Sequence, residues 1–353
     1  MPADLLGGAA GCSEAMMTTF SSRFGRRALL GGLAAAATSP ARAAGTRIDD
    51  AFGGIVLKDV PRRVVSLGYT THDTLLALGV LPVAVRQWFG DAPGAIWPWA
   101  QPALQAVAAQ GPAPVVLTGD VSVERVAALQ PDLIIGIASG IPPEIHATLS
   151  KFAPVLMEAR GQTSFGTPWD SVARRIGLAL GRSAEAEAAI AATRKNFAEA
   201  QARHPGWAGR RAVAAYAFGG ETGAFIRSDT RGRFLAELGF VEPEAVARRP
   251  VSYGFYARLS PEDLSPLDAD LLLWVIATEQ VPEVAALPLR RLLRAHREGR
   301  EVVTTALVSA ALSFGSILSL PFALEALEPE LVAALDGNPA TVVPSARETG
   351  IAP

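Results

Sequence analysis

The chain has 353 residues, half of them hydrophobic, so it is long enough to form two domains with a core in each. Its formal net charge of -2 provides no basic field for a nucleic acid, which excludes that class of partner. The single cysteine, Cys12, lies before the cleavage site of the export signal described next, so the mature chain is predicted to have no disulfide and no cysteine-ligated metal.

The N-terminal segment, residues 1–43, is predicted to be a signal peptide of the twin-arginine type. Arg26 and Arg27 precede a run of small apolar residues that ends near Ala37, and a small-x-small cleavage site ends at Ala43. The run is too short to cross a bilayer, which takes roughly 20 apolar residues. We therefore expect export to the periplasm. The alternative is an alanine-rich helix of the mature protein.

An N-terminal α/β lobe is predicted for residues 46–165. It begins with a hairpin whose strands, 48–52 and 55–57, flank Gly53 and Gly54. A loop over 68–73 precedes a helix at 74–78. Buried strands are predicted at 64–67, 83–85, 115–117, 133–137 and 155–157. Strands that alternate with short helices are typical of an α/β lobe.

Linking helices are predicted for residues 166–206. Thr167 is expected to cap a helix that ends at Gly181, and a second helix runs from Ser183 to about His204. About 20 residues at 1.5 Å each give a rod of about 30 Å, which is a stiff spacer.

A second α/β lobe is predicted for residues 207–340. Its strands are expected at 213–218, 225–227, 271–276 and 302–303, and its helices at 231–238, 288–296 and 316–335.

Two segments of the chain are similar to each other. Residues 122–135 and 260–273 share Ser, Glu, Leu, Asp and Leu in register, and each is predicted to be a serine-capped short helix followed by an aspartate and a buried strand. Two related α/β units indicate two lobes with a cleft between them. The alternative is that this is only a common local pattern.

Four stretches of the sequence resemble one known family. They are Arg63-Val-Val-Ser-Leu-Gly-Tyr-Thr-Thr-His-Asp-Thr-Leu-Leu-Ala-Leu-Gly-Val, Pro82-Val-Ala-Val-Arg-Gln-Trp-Phe-Gly, Trp97-Pro-Trp and Leu129-Gln-Pro-Asp-Leu-Ile-Ile. Together with the single long helix they resemble the iron–siderophore-binding proteins of ABC importers. The resemblance covers most of residues 46–336, and residues 63–99 are its most specific part. The last stretch is shared with binders of cobalamin and haem.

The resemblance implies a class III periplasmic binding protein, with two Rossmann-like lobes joined by one long α-helix that permits only small closure. It implies a monomer that carries a ferric siderophore to an inner-membrane ABC permease, without catalysis, cofactor or metal ligands of its own. In similar receptors one glutamate per lobe pairs with permease arginines, and Glu124 and Glu262 occupy the matching positions. The alternative role of these acids is to stabilise a helix N-terminus through its dipole. The alternative ligands of the same fold are haem and cobalamin.

The cleft is expected to offer aromatic walls and arginines, because the chelator already saturates the iron. Ligands of α/β lobes bind at loops beyond the carboxyl ends of strands. That rule selects Tyr69, Thr70, His72, Arg86, Trp88, Trp97 and Ser139 in the first lobe, and Phe218, Arg227, Tyr253, Tyr256 and Phe314 in the second. A core position remains the alternative for each aromatic, pairing with Asp229 for Arg227, and a hydrogen-bonded loop position for His72.

Rival functions lack their motifs. A hydrolase of the α/β class needs a G-x-S-x-G elbow, which the chain does not contain. A zinc receptor needs clustered histidines, whereas the four of this chain are widely spaced.

Overall fold

A computed structural model describes residues 45–353, and the predicted signal peptide lies outside these residues. The described chain begins with an antiparallel hairpin of β1 (Thr46–Ile48) and β2 (Ile55–Leu57). The strand predicted to continue to Phe52 ends at Ile48. The carboxylate of Asp50 accepts hydrogen bonds from the backbone N–H groups of Phe52 and Gly54, both at 2.8 Å, and so folds 50–54 into a turn.

The N-terminal lobe is built on a five-stranded parallel sheet. Its elements are β3 (Val64–Ser66), β4 (Ala84–Arg86), β5 (Val115–Leu117), β6 (Leu133–Ile135), β7 (Val155–Leu156), α1 (Thr71–Ala77), α2 (Gln101–Val107), α3 (Val123–Ala128) and α4 (Pro143–Leu149). The strand order β5-β4-β3-β6-β7 is that of a doubly wound sheet, in which crossover helices cover both faces. Two separate apolar clusters accordingly pack on the sheet.

Helix α1 begins at Thr71, three residues before the predicted start. A Cβ atom at position 68 would lie 2.0 Å from the carbonyl oxygen of Ile137, so glycine alone allows the chain to leave β3 at this point. The Thr71 hydroxyl then donates to the carbonyl of Gly68 at 3.2 Å. The close approach of Gly68 to Ile137 joins the ends of the adjacent strands β3 and β6, so it does not follow from local sequence.

Two helices follow the N-terminal lobe, α5 (Trp169–Ala179) and α6 (Ser183–Arg203). Helix α6 has 21 residues and therefore spans about 30 Å, as expected from the sequence. The predicted cap of α5 is wrong, because the Thr167 hydroxyl donates to the carbonyl of Thr163 at 3.2 Å instead of accepting from the helix.

The C-terminal lobe is built on a six-stranded mixed sheet with the order β10-β11-β9-β8-β12-β13. Its strands are β8 (Ala212–Phe218), β9 (Glu221–Phe225), β10 (Val251–Ser252), β11 (Tyr256–Leu259), β12 (Leu271–Trp274) and β13 (Glu301–Val303). Its helices are α7 (Thr230–Glu237), α8 (Glu244–Ala247), α9 (Val281–Ala286), α10 (Arg294–Arg297), α11 (Ala306–Phe314), α12 (Ser319–Leu335) and α13 (Pro344–Glu348). The neighbouring pairs β8–β12 and β12–β13 are parallel, and the other neighbouring strands of this sheet are antiparallel. The helix predicted over 288–296 is instead a 3-10 turn at Arg290–Leu292 followed by α10.

In both repeated segments the aspartate accepts hydrogen bonds from the backbone just before the first strand of its lobe's sheet. Asp132 accepts from the backbone N–H groups of Arg62 and Arg63, both at 2.8 Å, and Asp270 accepts from that of Arg211, also at 2.8 Å. Only the first copy contains the predicted α-helix. The second has a 3-10 turn at Ser265–Leu267, because Pro266 lacks the N–H that a helix interior needs.

The two lobes meet along an apolar seam. Ile96 and Trp99 from the N-terminal lobe belong to the same buried cluster as Phe314 and Leu320 from the C-terminal lobe. The fold is therefore two α/β lobes with a long helix and a packed seam between them, which confirms the predicted fold class. No helix within residues 45–353 combines the length and apolar character needed to cross a membrane.

Candidate functional site

A cavity of about 290 Å³ lies between the lobes. Its lining residues come from both lobes and from the linking helices: Tyr69, Thr70, Thr74, Trp88, Ala138, Ser164, Phe165, Thr167, Trp169, Val172, Asp229, Thr230, Arg231, Phe255, Ser313, Phe314, Gly315 and Ser316. On the N-terminal side it lies beyond the carboxyl ends of β3, β4 and β6. Strands β3 and β6 are the adjacent pair at which the strand order reverses, which is where doubly wound sheets bind ligands.

The N-terminal wall of the cavity is aromatic. The ring of Tyr69 stacks on Trp88 with 5.6 Å between centroids and on Phe165 with 6.4 Å. Trp88 is 38% exposed and Phe165 is 47% exposed, so both present ring faces at the rim. Such faces offer a large contact area to an apolar or aromatic ligand.

Arg86 lies behind this wall. Its guanidinium is 4.4 Å from the ring centroid of Tyr69 and donates to the carbonyl oxygens of Ser139 at 2.9 Å and Gly119 at 3.3 Å. The side chain is buried, and each of its three nitrogens donates one hydrogen bond to these carbonyls. Arg86 therefore orients Tyr69 and holds the loop after β6.

Two fully buried ionisable groups, His72 and Asp73, lie behind the cavity lining. Asp73 accepts hydrogen bonds from Trp99 Nε1 at 2.8 Å and from Ser316 Oγ at 2.5 Å, the latter across the seam between the lobes. Burial raises the pKa of Asp73 from 3.8 to about 7, although these two hydrogen bonds oppose the shift.

Burial also lowers the pKa of His72 from 6.5 to about 4, so its imidazole is neutral at pH 7. Its Nε2 lies 3.6 Å from Asp73 Oδ1, beyond hydrogen-bonding distance, and its ring meets Phe314 edge-on at 5.8 Å. His72 is thus a helix residue packed against an aromatic ring. It is not the hydrogen-bonded loop histidine that the sequence left open.

The C-terminal wall carries one ion pair. Arg231 donates to Asp229 through Nε at 2.6 Å and through one terminal nitrogen at 2.8 Å. Asp229 also caps α7 by accepting from the backbone N–H of Arg231, and the guanidinium lies 3.8 Å from the ring centroid of Phe225. Both residues are fixed by several contacts at once.

Hydroxyl groups complete the polar part of the lining. Ser313, Ser316 and Thr230 face the cavity on the C-terminal side, as Thr70 and Ser164 do on the other. The buried Thr230 Oγ1 has no hydrogen-bond partner among residues 45–353. A ligand oxygen placed beside it would satisfy this hydroxyl.

The sequence-predicted ligand residues occupy three kinds of position. Tyr69, Thr70, Trp88 and Phe314 line the cavity. His72, Arg86, Ser139 and Trp97 lie directly behind the lining; Trp97 stacks on Trp99 at 5.3 Å and meets Phe314 at 6.1 Å. Phe218, Arg227, Tyr253 and Tyr256 are not among the lining residues.

The direction of the second sheet explains why Phe218 is distant. The lining residue Phe255 directly precedes Tyr256. Across the sheet, Tyr256 pairs with Phe225 of β9, and Phe225 pairs with Ala214 near the start of β8. The cavity therefore lies where β8 begins. Phe218 ends β8, about 13 Å further along at about 3.3 Å per residue, and is 62% exposed.

The other three residues have identifiable contacts. The backbone N–H of Arg227 donates to Glu242 Oε1 at 2.8 Å, while Asp229 pairs with Arg231 and not with Arg227. Tyr256 is buried against Tyr216, and Tyr253 stacks over it while remaining 80% exposed.

The sequence analysis does not identify several lining residues, among them the hydroxyl-bearing Ser164, Thr230, Ser313 and Ser316 and the larger side chains Phe165, Trp169, Asp229, Arg231 and Phe255. Phe165 and Trp169 lie at the junction with the linking helices, which was interpreted only as a spacer. Asp229 and Arg231 follow Arg227 closely, and the Asp-Thr-Arg sequence at a helix start was the available signal.

Glu124 and Glu262 lie outside the cavity, and both are exposed. Each follows the end of a strand, β5 or β11, and precedes the next parallel strand of its sheet. Within residues 45–353, no group of three or more His, Cys, Asp and Glu side chains is arranged to hold a metal ion.

Comparison with known proteins shows what this chain is similar to. A family model described as periplasmic binding protein matches residues 64–306. A solved periplasmic solute-binding protein from Mycobacterium smegmatis is 32% identical, with a TM-score of 0.73, and the match covers 83% of this chain and 99% of that one. PiaA from Streptococcus pneumoniae, solved in complex with ferrichrome, is 23% identical, with a TM-score of 0.71 and coverage of 83% and 99%.

A curated relative, the probable siderophore-binding lipoprotein YfiY of Bacillus subtilis (strain 168), is 26% identical over 219 residues. These residues are 61% of this chain and 63% of the relative, so the chain matches less than two thirds of that protein's length. The family model spans more than half of the chain, and the Mycobacterium smegmatis structure extends the similarity over both lobes. This chain therefore belongs to the periplasmic binding protein family, whose members bind solutes outside the cytoplasm.

Proposed function

We propose that this chain binds a ferric siderophore in the cavity between its lobes and delivers it to the permease of an ABC importer. The observation that carries the proposal is the stacked Tyr69–Trp88–Phe165 wall at the switch point of the first sheet, facing hydroxyl groups across the cavity. A ferric siderophore has apolar and aromatic surface, and its own oxygen atoms surround the iron. Walls of this chemistry bind it without a protein atom touching the metal.

The relatives support the same ligand class. YfiY is described as a probable siderophore-binding lipoprotein, and the PiaA structure contains ferrichrome. In the proposed complex Tyr69, Thr70, Trp88 and Phe314 contact the chelate. His72, Arg86, Trp97 and Ser139 hold these residues from behind. Phe218, Arg227, Tyr253 and Tyr256 are outside the proposed contact surface.

We also propose the remaining features of a transport receptor. Residues 1–43 direct export to the periplasm through the twin-arginine route, lobes at 46–165 and 207–340 are joined by linking helices over 166–206, and the protein acts as a monomer without catalysis. The recovered ligand should then have the same mass as the ligand added.

Titration of the mature protein tests the binding proposal. Trp88 and Trp169 line the cavity, so a ferric hydroxamate or a ferric catecholate should quench tryptophan fluorescence saturably, with one ligand per chain. Haem and cobalamin titrated in parallel represent the other ligands of this fold. Saturable quenching by haem or cobalamin alone would exclude the siderophore proposal.

Docking to the permease is assigned to Glu124 and Glu262. An exposed ion pair contributes under about 1 kcal/mol, so two pairs orient the receptor more than they hold it, which suits a transient delivery. Reversal of both charges (Glu124→Arg with Glu262→Arg) should abolish import and leave binding in solution unchanged. Reversal of two other exposed acids, Glu144 and Glu325, is the charge-matched control. Normal import by the first variant would refute the assignment.

A further inference from the structure

The charged side chains at the cavity cancel one another. Asp229 and Arg231 are the charged residues among the described residues that line it, and they are joined by two hydrogen bonds of 2.6 Å and 2.8 Å. The pair can still donate and accept hydrogen bonds to a ligand. It adds no net charge to the wall.

The basic groups behind the lining are not presented to a ligand. Arg86 is covered by Tyr69, and its donors are directed at the carbonyls of Ser139 and Gly119. His72 is buried beneath Phe314 and is neutral at pH 7, since burial lowers its pKa to about 4. The other polar side chains of the lining, which are hydroxyls and the indoles of Trp88 and Trp169, are uncharged.

This charge balance discriminates between classes of ferric chelate. A ferric tris-hydroxamate is electrically neutral, because three singly charged groups balance the iron, whereas a ferric tris-catecholate is a trianion. A trianion that leaves water for this cavity loses its hydration and finds no uncompensated cation in the lining to replace it. A neutral chelate loses far less and gains the aromatic contacts.

On the basis of the proposed function, we propose that the site selects electrically neutral ferric chelates of the hydroxamate class, and that Asp229 enforces this choice by holding the Arg231 guanidinium. Asp229 is a specificity-determining residue in this assignment. Without its charge, Arg231 becomes a free cation in the wall and favours anionic chelates through charge-assisted hydrogen bonds.

The substitution Asp229→Asn removes the charge with little disturbance of the fold. Asparagine is as good a helix cap as aspartate, so the cap of α7 is preserved. Affinities for ferrichrome, as the neutral probe, and for ferric enterobactin, as the trianionic probe, are measured by fluorescence quenching on the mature protein and on the variant.

We expect the unsubstituted protein to bind ferrichrome more tightly than ferric enterobactin. In Asp229→Asn the affinity for ferric enterobactin should rise about tenfold or more, as one charge-assisted hydrogen bond allows, while that for ferrichrome changes less than about threefold. Adding Arg231→Gln to this variant should return the trianion affinity to its starting level. Asp263→Asn, which frees Arg249 from an equivalent pair of 2.9 Å outside the cavity, is the matched control and should change neither affinity.

The outcomes separate this inference from the function beneath it. Tighter binding of ferric enterobactin than of ferrichrome by the unsubstituted protein, or an unchanged trianion affinity in Asp229→Asn, would overturn the inference and leave the siderophore function standing. Failure of both chelates to bind would overturn the proposed function, and the inference with it.

Discussion

Each lobe has a pair of neighbouring ionisable groups beside the cavity, His72 and Asp73 in the N-terminal lobe and Asp229 and Arg231 in the C-terminal lobe. His72 and Asp73 avoid buried charge by shifting their pKa values in opposite directions, so both are neutral near pH 5.5. Asp229 and Arg231 form an ion pair, with 2.6 Å between Arg231 Nε and Asp229 Oδ1. Both arrangements reduce the desolvation penalty at a dry cleft, one through protonation and one through pairing.

The largest expected effect is on the pH dependence of stability, when either His72 or Asp73 is substituted alone. The folded-state pKa of Asp73 is raised, so its contribution to stability is present below pH 4 and is lost as pH rises towards 7. The folded-state pKa of His72 is depressed, so its contribution is present above pH 6.5 and is lost as pH falls towards 4. In the unsubstituted protein the two trends largely cancel between these limits.

Single substitutions should therefore expose opposite slopes. Relative to the unsubstituted protein, the free energy of unfolding of Asp73→Asn should rise between pH 4 and 7, and that of His72→Phe should fall between pH 4 and 6.5, each on the order of 3 kcal/mol. Urea denaturation at half-unit pH steps measures both differences. Parallel stability curves for all three proteins would show that the two groups keep their ordinary pKa values.

The next largest effect is on ligand affinity. The stacked aromatic wall of the cavity lies on the N-terminal side, and the C-terminal side of the cavity has no comparable stack. Trp88→Ala or Tyr69→Ala should weaken binding of the ferric siderophore by about 2 kcal/mol, or about thirtyfold, because a stacked anchor at the centre of the contact surface is lost. Phe218→Ala, at the far end of β8, should change the dissociation constant less than about twofold. Equal losses in all three variants would contradict the distinction between lining and outlying aromatics.

The N-terminal half of the site was more accessible from sequence than the C-terminal half, for a topological reason. In a parallel sheet every strand ends at the same edge, so Tyr69 and Trp88 could be assigned to the cavity from strand order alone. The second sheet is mixed, and its cavity edge is where β8 begins, so the same rule selects Phe218 at the opposite end of that strand. Neither the direction of β9 nor the Asp229–Arg231 pairing is encoded in local periodicity.

The fold itself was predictable where elements are long or strongly patterned. Helix α6 and the buried strands of the first sheet follow from periodicity, and the predicted two-lobed architecture is confirmed. The helix predicted in the second copy of the repeat is wrong, although Asp270 leads into a buried strand as predicted. Pro266 decides that outcome, because proline lacks the N–H that a helix interior needs.

A smaller effect on stability is expected from the aspartates that the two lobes share. Asp132→Ala and Asp270→Ala should each lower the free energy of unfolding by about 1 to 2 kcal/mol. The first leaves two backbone N–H groups at the entry to a first strand without their acceptor, and the second leaves one and also removes the pair with Arg294. Chemical denaturation of both variants tests the equivalence of the two aspartates. A loss confined to one lobe would show that the repeat preserves the aspartate for different reasons.

The smallest effect distinguishes the two copies at their serines. Ser122 Oγ accepts from the backbone N–H of Arg125 at 3.2 Å and caps α3, whereas Ser260 Oγ accepts from that of Glu262 at 3.3 Å in a turn with no α-helix after it. Ser122→Ala should therefore lower the free energy of unfolding by about 1 kcal/mol, and Ser260→Ala by only a few tenths. Equal losses would mean that the second serine stabilises its turn as strongly as a helix cap does, and the difference between the copies would then be one of shape without a difference in stability.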